Sequence, residues 1–104
     1  MNFREWLTEA VKYRSEDFRK LLPELHLVDG TDLSVQASNF HMCDPQQYLE
    51  NGEYESVEVY THGEYLNDTV LNKYIMSPFT YGYVSIDDME TICKNHKGIK
   101  DIFK

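Results

Sequence analysis

The stretch Tyr81-Gly-Tyr-Val-Ser-Ile-Asp-Asp-Met-Glu-Thr-Ile-Cys-Lys-Asn-His-Lys-Gly98 decides the fold, because the period of its apolar residues changes partway along. Tyr81 to Val84 reads as a strand, with Tyr81 and Tyr83 on one face. From Ser85 the period becomes helical, and Ile86, Met89, Ile92 and Cys93 form one buried stripe. Ser85 with Asp88 three residues on makes a capping box, and Gly98 stops the helix. Ile99, Ile102 and Phe103 are expected to anchor the tail.

Upstream, Leu33, Val35 and Ala37 alternate with Ser34, Gln36 and Ser38, which predicts a half-buried strand with a small polar outer face, entered through an Asp29-Gly30 turn. A second strand is expected over residues 54–61 after Asn51-Gly52. It puts Val57 and Val59 on one face and Tyr54, Ser56, Glu58 and Tyr60 on the other. His62-Gly63 turns it into a short return segment, residues 64–66, and Asn67 or Asp68 caps a short helix through Tyr74.

Residues 2–22 carry Phe3, Trp6, Leu7, Ala10, Val11, Phe18, Leu21 and Leu22 at helical spacing. Asn2 and Glu5 form a capping box and Pro23 marks the stop, although Arg14 interrupts the stripe and residues 15–17 are able to open a second short helix. The expected architecture is therefore α+β. A small antiparallel sheet of three to four strands packs against N-terminal and C-terminal helices in a single domain, residues 1–104.

The net charge is −8, with 18 acidic against 10 basic residues, and it is unevenly spread. Residues 21–72 hold ten acids and no Lys or Arg, whereas residues 1–20 and 73–104 each hold five basic and four acidic groups. Such a balance argues against nucleic acid or an anionic membrane as a direct ligand. No apolar run reaches the length of a membrane span, and the N-terminus lacks the apolar segment of a secretory signal, so a cytoplasmic protein is expected. Cys43 and Cys93 are then thiols.

The chain offers little for catalysis. Its five glycines are isolated and none precedes a Lys-Ser or Lys-Thr pair, so no phosphate loop is present. No nucleophile elbow occurs. His41, Cys43, Cys93 and His96 supply two imidazoles and two sulfurs, the donor set of tetrahedral zinc, but the His41–Cys43 spacing is tight and Cys93 falls on the apolar stripe. The main expectation is no metal, no cofactor and no enzymatic activity. His26, His41, His62 and His96 are read as surface or capping residues.

What remains is the acidic, tyrosine-rich middle. Glu50, Glu53, Glu55, Glu58, Glu64 and Asp68 surround Tyr54, Tyr60 and Tyr65, and tyrosines beside carboxylates suit an interface with Lys and Arg. Same-face strand residues lie roughly 7 Å apart, and duplex DNA carries a charge about every 1.7 Å, so DNA mimicry needs several segments to converge. The alternative is that these tyrosines form a second core under a loop.

Residues 32–99 resemble a family of small acidic proteins encoded by phages and prophages of Gram-positive bacteria. The matching stretches are Leu33-Ser-Val-Gln-Ala-Ser38, Cys43-Asp-Pro45, Tyr54-Glu-Ser-Val-Glu-Val59, Tyr81-Gly-Tyr-Val84 and the last helix into Asn95-His-Lys-Gly98-Ile99. Members of that family end this helix in His-Gly-Gly, and Lys97 stands here at the first of those glycines. The resemblance implies a phage origin and little about biochemistry; small acidic phage proteins are often inhibitors of host defence, among which anti-CRISPR proteins are the best-populated group, and the charge map agrees with that reading. The expected partner is a host protein with a basic, nucleic-acid-binding surface, such as a Cas effector. Glu50, Glu53, Glu55, Glu58, Glu64 and Asp68 would supply charge, with Tyr54, Tyr60 and Tyr65 as anchors. The competing reading is a phage accessory or regulatory domain that works through a less charged surface.

Overall fold

A computed structural model describes residues 1–100 and bears out the α+β class. In chain order the elements are α1 (Phe3–Ala10), a 3₁₀ turn (Val11–Tyr13), β1 (Leu25–His26), β2 (Asp32–Gln36), β3 (Ser56–Tyr60), α2 (Thr69–Asn72), β4 (Ile75–Ser77), β5 (Thr80–Ser85) and α3 (Ile86–Asn95). The strands form one antiparallel sheet in the order β1-β2-β3-β5-β4. The fifth strand exceeds the three to four expected, because β1 and β4 have two and three residues and are too short to show alternation.

Phe3, Trp6, Leu7 and Ala10 of α1 share one core with Ile86, Met89, Ile92 and Cys93 of α3 and with Leu33, Val35, Val57, Val59 and Val84 of the sheet. The Asn2–Glu5 capping box forms as expected. Glu90 of α3 accepts the Phe3 amide at 2.5 Å, which places a carboxylate at the positive end of α1 and ties the two helices together.

The expected helix over residues 2–22 ends at Tyr13. Arg14 adopts an extended backbone, and residues 15–21 close into a loop instead. The side chain of Arg14 explains the break, because its guanidinium donates to Lys20 O at 3.1 Å and to the Tyr54 hydroxyl at 2.9 Å. Phe18, assigned to the buried stripe, is 86% exposed.

Two strand expectations also change. The outer face of β2 is covered at one end: Gln36 is buried, with its amide bonded to both the N–H and the C=O of Leu22, and Ser38 is buried too. Tyr81 and Tyr83 do not share a face, since Gly82 and Tyr83 together oppose Glu58 in a β-bulge. Tyr81 is buried and Tyr83 is exposed with φ +55°; its N–H leaves the ladder for Met42 O at 3.0 Å. A Cβ on Gly82 would lie 2.8 Å from Met42 Sδ and 3.0 Å from Met76 Cγ, so a larger residue here would have to displace those methionine side chains.

His62 and Gly63 both have positive φ, the signature of a type I′ turn, and Glu64 N–H donates to Thr61 O. Residues 64–66, however, form no return strand and run to α2, which Asp68 caps through Val70 and Leu71 N–H. At the end of α3, Gly98 N–H reaches Cys93 O and Lys97 N–H reaches Lys94 O, a Schellman motif with Lys97 at φ +72°. Residues 98–100 then cover the edge of β1: Leu27 and Ile99 pair, Val28 donates to Gly98 O and Lys100 to His26 O. Ile102 and Phe103 lie outside the described residues. Among the described residues no helix is long and apolar enough to cross a membrane.

Candidate functional site

β3 divides the expected interaction face into two ends. Before the strand, the Asn51-Gly52 turn packs so closely on α1 that a Cβ at Gly52 would lie 3.0 Å from Thr8 Cα. Arg4 clamps the same stretch by donating to Gly52 O at 3.0 Å and Tyr54 O at 2.8 Å. Glu50, Glu53 and Glu55 project from it into solvent. Beyond the strand, Tyr60, Glu64 and Tyr65 are also exposed, and the Tyr65 ring rests on Phe79 at 4.5 Å. Five residues of strand put about 16 Å between the two groups.

Three of the nine expected partner-binding residues are not free to serve. Tyr54 is buried under the loop of residues 37–49. Its hydroxyl donates to Gln47 O at 2.6 Å and accepts from Leu49 N–H at 2.8 Å and from Arg14. Burial pushes its phenol above the ordinary tyrosine range, with the Leu49 amide pulling the other way. Strand alternation placed Tyr54 on the outer face, but that face is covered at this end. Asp68 is buried as the cap of α2 and as a partner of His96. Glu58 is half-buried and accepts the Met42 amide at 3.1 Å.

The zinc quartet does not assemble. Cys43 Sγ–H points to Ser38 O and Pro45 O, His41 Nδ1 lies 2.6 Å from Ser38 Oγ, and Cys93 is buried on α3. Burial pushes the Cys93 thiol up to about 12 and raises Cys43 as well, opposite to what a thiolate ligand requires. Burial likewise lowers His41, against the opposing pull of Glu58. No group of three or more His, Cys, Asp or Glu side chains suited to a metal ion occurs among the described residues.

Sequence reasoning missed what the other histidines do. Three of the four pair with carboxylates near the far end of β3, where a cleft of about 530 Å³ is lined by His62 itself and by Asp32 and Asp29, the partners of His26 and His96, together with Thr31, Thr61 and Glu64. His26 Nδ1 lies 2.5 Å from Asp32, and His62 Nε2 lies 2.8 Å from Glu24. His96 sits between two acids, with Nδ1 2.7 Å from Asp29 and Nε2 3.0 Å from Asp68. Burial tends to raise the Asp29 carboxyl, but the Thr31 amide and His96 more than offset it and hold it below the usual range. With both ring nitrogens occupied by carboxylates, His96 has no free edge for a nucleophile. It is a tie between the β1–β2 turn, α2 and α3. The bonded partners are up to 67 positions apart in sequence, so no local spacing announced the cluster.

The second missed feature is apolar. Phe18 and Phe40, 86% and 78% exposed, flank a groove of about 270 Å³ completed by Arg19, Leu21 and His41. The signal was present in the sequence, but helical spacing assigned Phe18 to the core. No protein-family model, curated protein or solved structure matches the chain.

Proposed function

We propose that the protein works by binding: it is a non-enzymatic inhibitor of phage origin, acting in the bacterial cytoplasm, that covers a basic surface of a nucleic-acid-handling protein. In its narrowest form it is an anti-CRISPR protein directed at a Cas nuclease complex. One observation carries the reading. Glu50, Glu53, Glu55 and Glu64 are exposed, and among the described residues none of them lies within 4.0 Å of a Lys or Arg side-chain nitrogen. Carboxylates left unpaired on a pinned backbone keep their field for a partner, and that field speeds association and makes it salt-sensitive. Two such groups, about 16 Å apart, suit a partner with basic residues on both walls of a channel better than a continuous mimic of duplex DNA.

The test is DNA cleavage by purified Cas nuclease–guide complexes in the presence of the protein. Inhibition is expected, with an apparent affinity that falls steeply as salt rises. The variant to compare is Glu53→Lys with Glu55→Lys, because both side chains are exposed and neither holds the fold; Glu58→Lys would also break the bond to Met42. Loss of inhibition at unchanged stability supports the reading. Absence of inhibition across the nuclease types removes its narrow form, and salt-independent binding removes the electrostatic one.

A further inference from the structure

The loop of residues 14–21 holds an aromatic side chain in solvent by an unusually complete set of bonds. Ser15 N–H donates to Leu21 O at 2.8 Å, and Leu21 N–H returns to Ser15 Oγ at 2.8 Å. Asp17 accepts from the Arg19 backbone, from Arg19 Nε and Nη2, and from Ser15 Oγ. Those bonds, the Arg19 side chain first, hold its carboxyl down at about 2. Phe18 stands within this closed loop. Phe40 faces the groove from another fixed turn, where its N–H donates to Ser38 Oγ at 3.0 Å. The backbone beneath both rings is therefore held, so a partner that covers them has only their side chains to order.

Charge indicates what covers them. In a chain of net charge −8, no carboxylate lines the groove; of the loop's two acids, Asp17 is occupied by Arg19 and Glu16 is exposed outside the groove's lining. Flanking Phe18 in the same loop, Arg14 and Lys20 line a second hollow of about 230 Å³, both over the Tyr48 ring at 5.2 and 5.9 Å from its centre. Among the described residues neither cation has a carboxylate within 4.0 Å, although Glu50 also lines that hollow. The two hollows share no lining residue, but Lys20 of one precedes Leu21 of the other in the chain, and the Arg14 charge is felt at His41 of the apolar groove. At about 270 Å³ the apolar one is smaller than most small-molecule sites and is sized for a side chain.

We propose that this face docks an amphipathic segment of a partner protein, with an apolar side chain seated between Phe18 and Phe40 and an adjacent carboxylate on Arg14 and Lys20. The surface is separate from the acidic ends of β3 and takes the opposite charge, so the inference stands or falls independently of the inhibitor reading. Aromatic anchors beside cations are a common composition for the energetic centre of an interface.

The probe is a synthetic amphipathic peptide with Leu and Trp on one face and Glu beside them, titrated into ¹⁵N-labelled protein. Shifts are expected at Phe18, Phe40, Arg14 and Lys20. Phe18→Ser and Lys20→Glu, both surface changes, should each weaken binding by about tenfold, and so should replacing the peptide's Glu with Lys. Three results would overturn the proposal: no shifts at this face, equal binding of the Glu and Lys peptides, or a protein dimer that Phe18→Ser dissolves, since the occupant would then be a second copy.

Discussion

Replacing Tyr54 with Phe separates an interface tyrosine from a core one. The ring stays and only the hydroxyl leaves, so no cavity of side-chain size opens. The lost atom is the hub of the 37–49 loop: it donates to Gln47 O and accepts from Leu49 N–H and from Arg14 Nη2. Each group left without a partner costs on the order of 1–3 kcal/mol when buried. Leu49 and Arg14 are only partly buried, so water recovers part of that loss, and a net destabilisation of about 2 kcal/mol is expected. For a domain of this size that corresponds to a fall in Tm of roughly 10 °C. Urea denaturation followed by Trp6 fluorescence should give a lower midpoint with an unchanged slope. Exchange of the loop amides should rise at the same time. If Tyr54→Phe is as stable as the parent but weakens partner binding, Tyr54 belongs to the surface and the packing described above is wrong.

Lys97→Gly should stabilise the protein by about 0.5–1 kcal/mol, because Lys97 occupies the left-handed position of the Schellman motif, where a Cβ is penalised; a Tm that does not rise would contradict that geometry. Asp68→Ala should cost about 3 kcal/mol, since it removes the α2 cap and leaves nearly buried His96 without one of its two carboxylates, and hydrogen exchange in α2 should report the loss first. Cys93 predicts an alkaline limb of stability. Its folded value of about 12 exceeds the ordinary thiol value of 9.0. Below pH 9 both states keep the proton; above it the unfolded chain releases the proton first, so stability falls between about pH 9 and 12, by about 4 kcal/mol in full. Cys93→Ala should lack that part of the decline, as seen by denaturation at several pH values, and an identical pH profile for both proteins would refute the assignment.

Local rules acted alone at several places. Asn2 and Ser85 found their helices because a cap needs only the three residues that follow it, and His62-Gly63 made its turn for the same reason. Lys97 stands where the backbone angle favours glycine, at φ +72°. Errors arose where the neighbour was remote. Ser85 accepts the Asp88 amide, but the Asp88 carboxylate turns to the Tyr74 hydroxyl and Lys73 and leaves the capping box half made.

Composition and period by themselves determined an α+β chain with amphipathic helices toward both ends and a one-sign middle. Those properties are sums over neighbours along the chain, and each residue contributes whatever lies across from it. The tertiary structure alone decided which residues remain free to act. It drew Tyr54 under a loop, gave Asp68, Asp29, Asp32 and Glu24 to histidines, and set Phe18 in solvent. A side chain's availability depends on which groups fold against it, and for Tyr54 and Arg14, 40 positions apart, no spacing in the sequence carries that information.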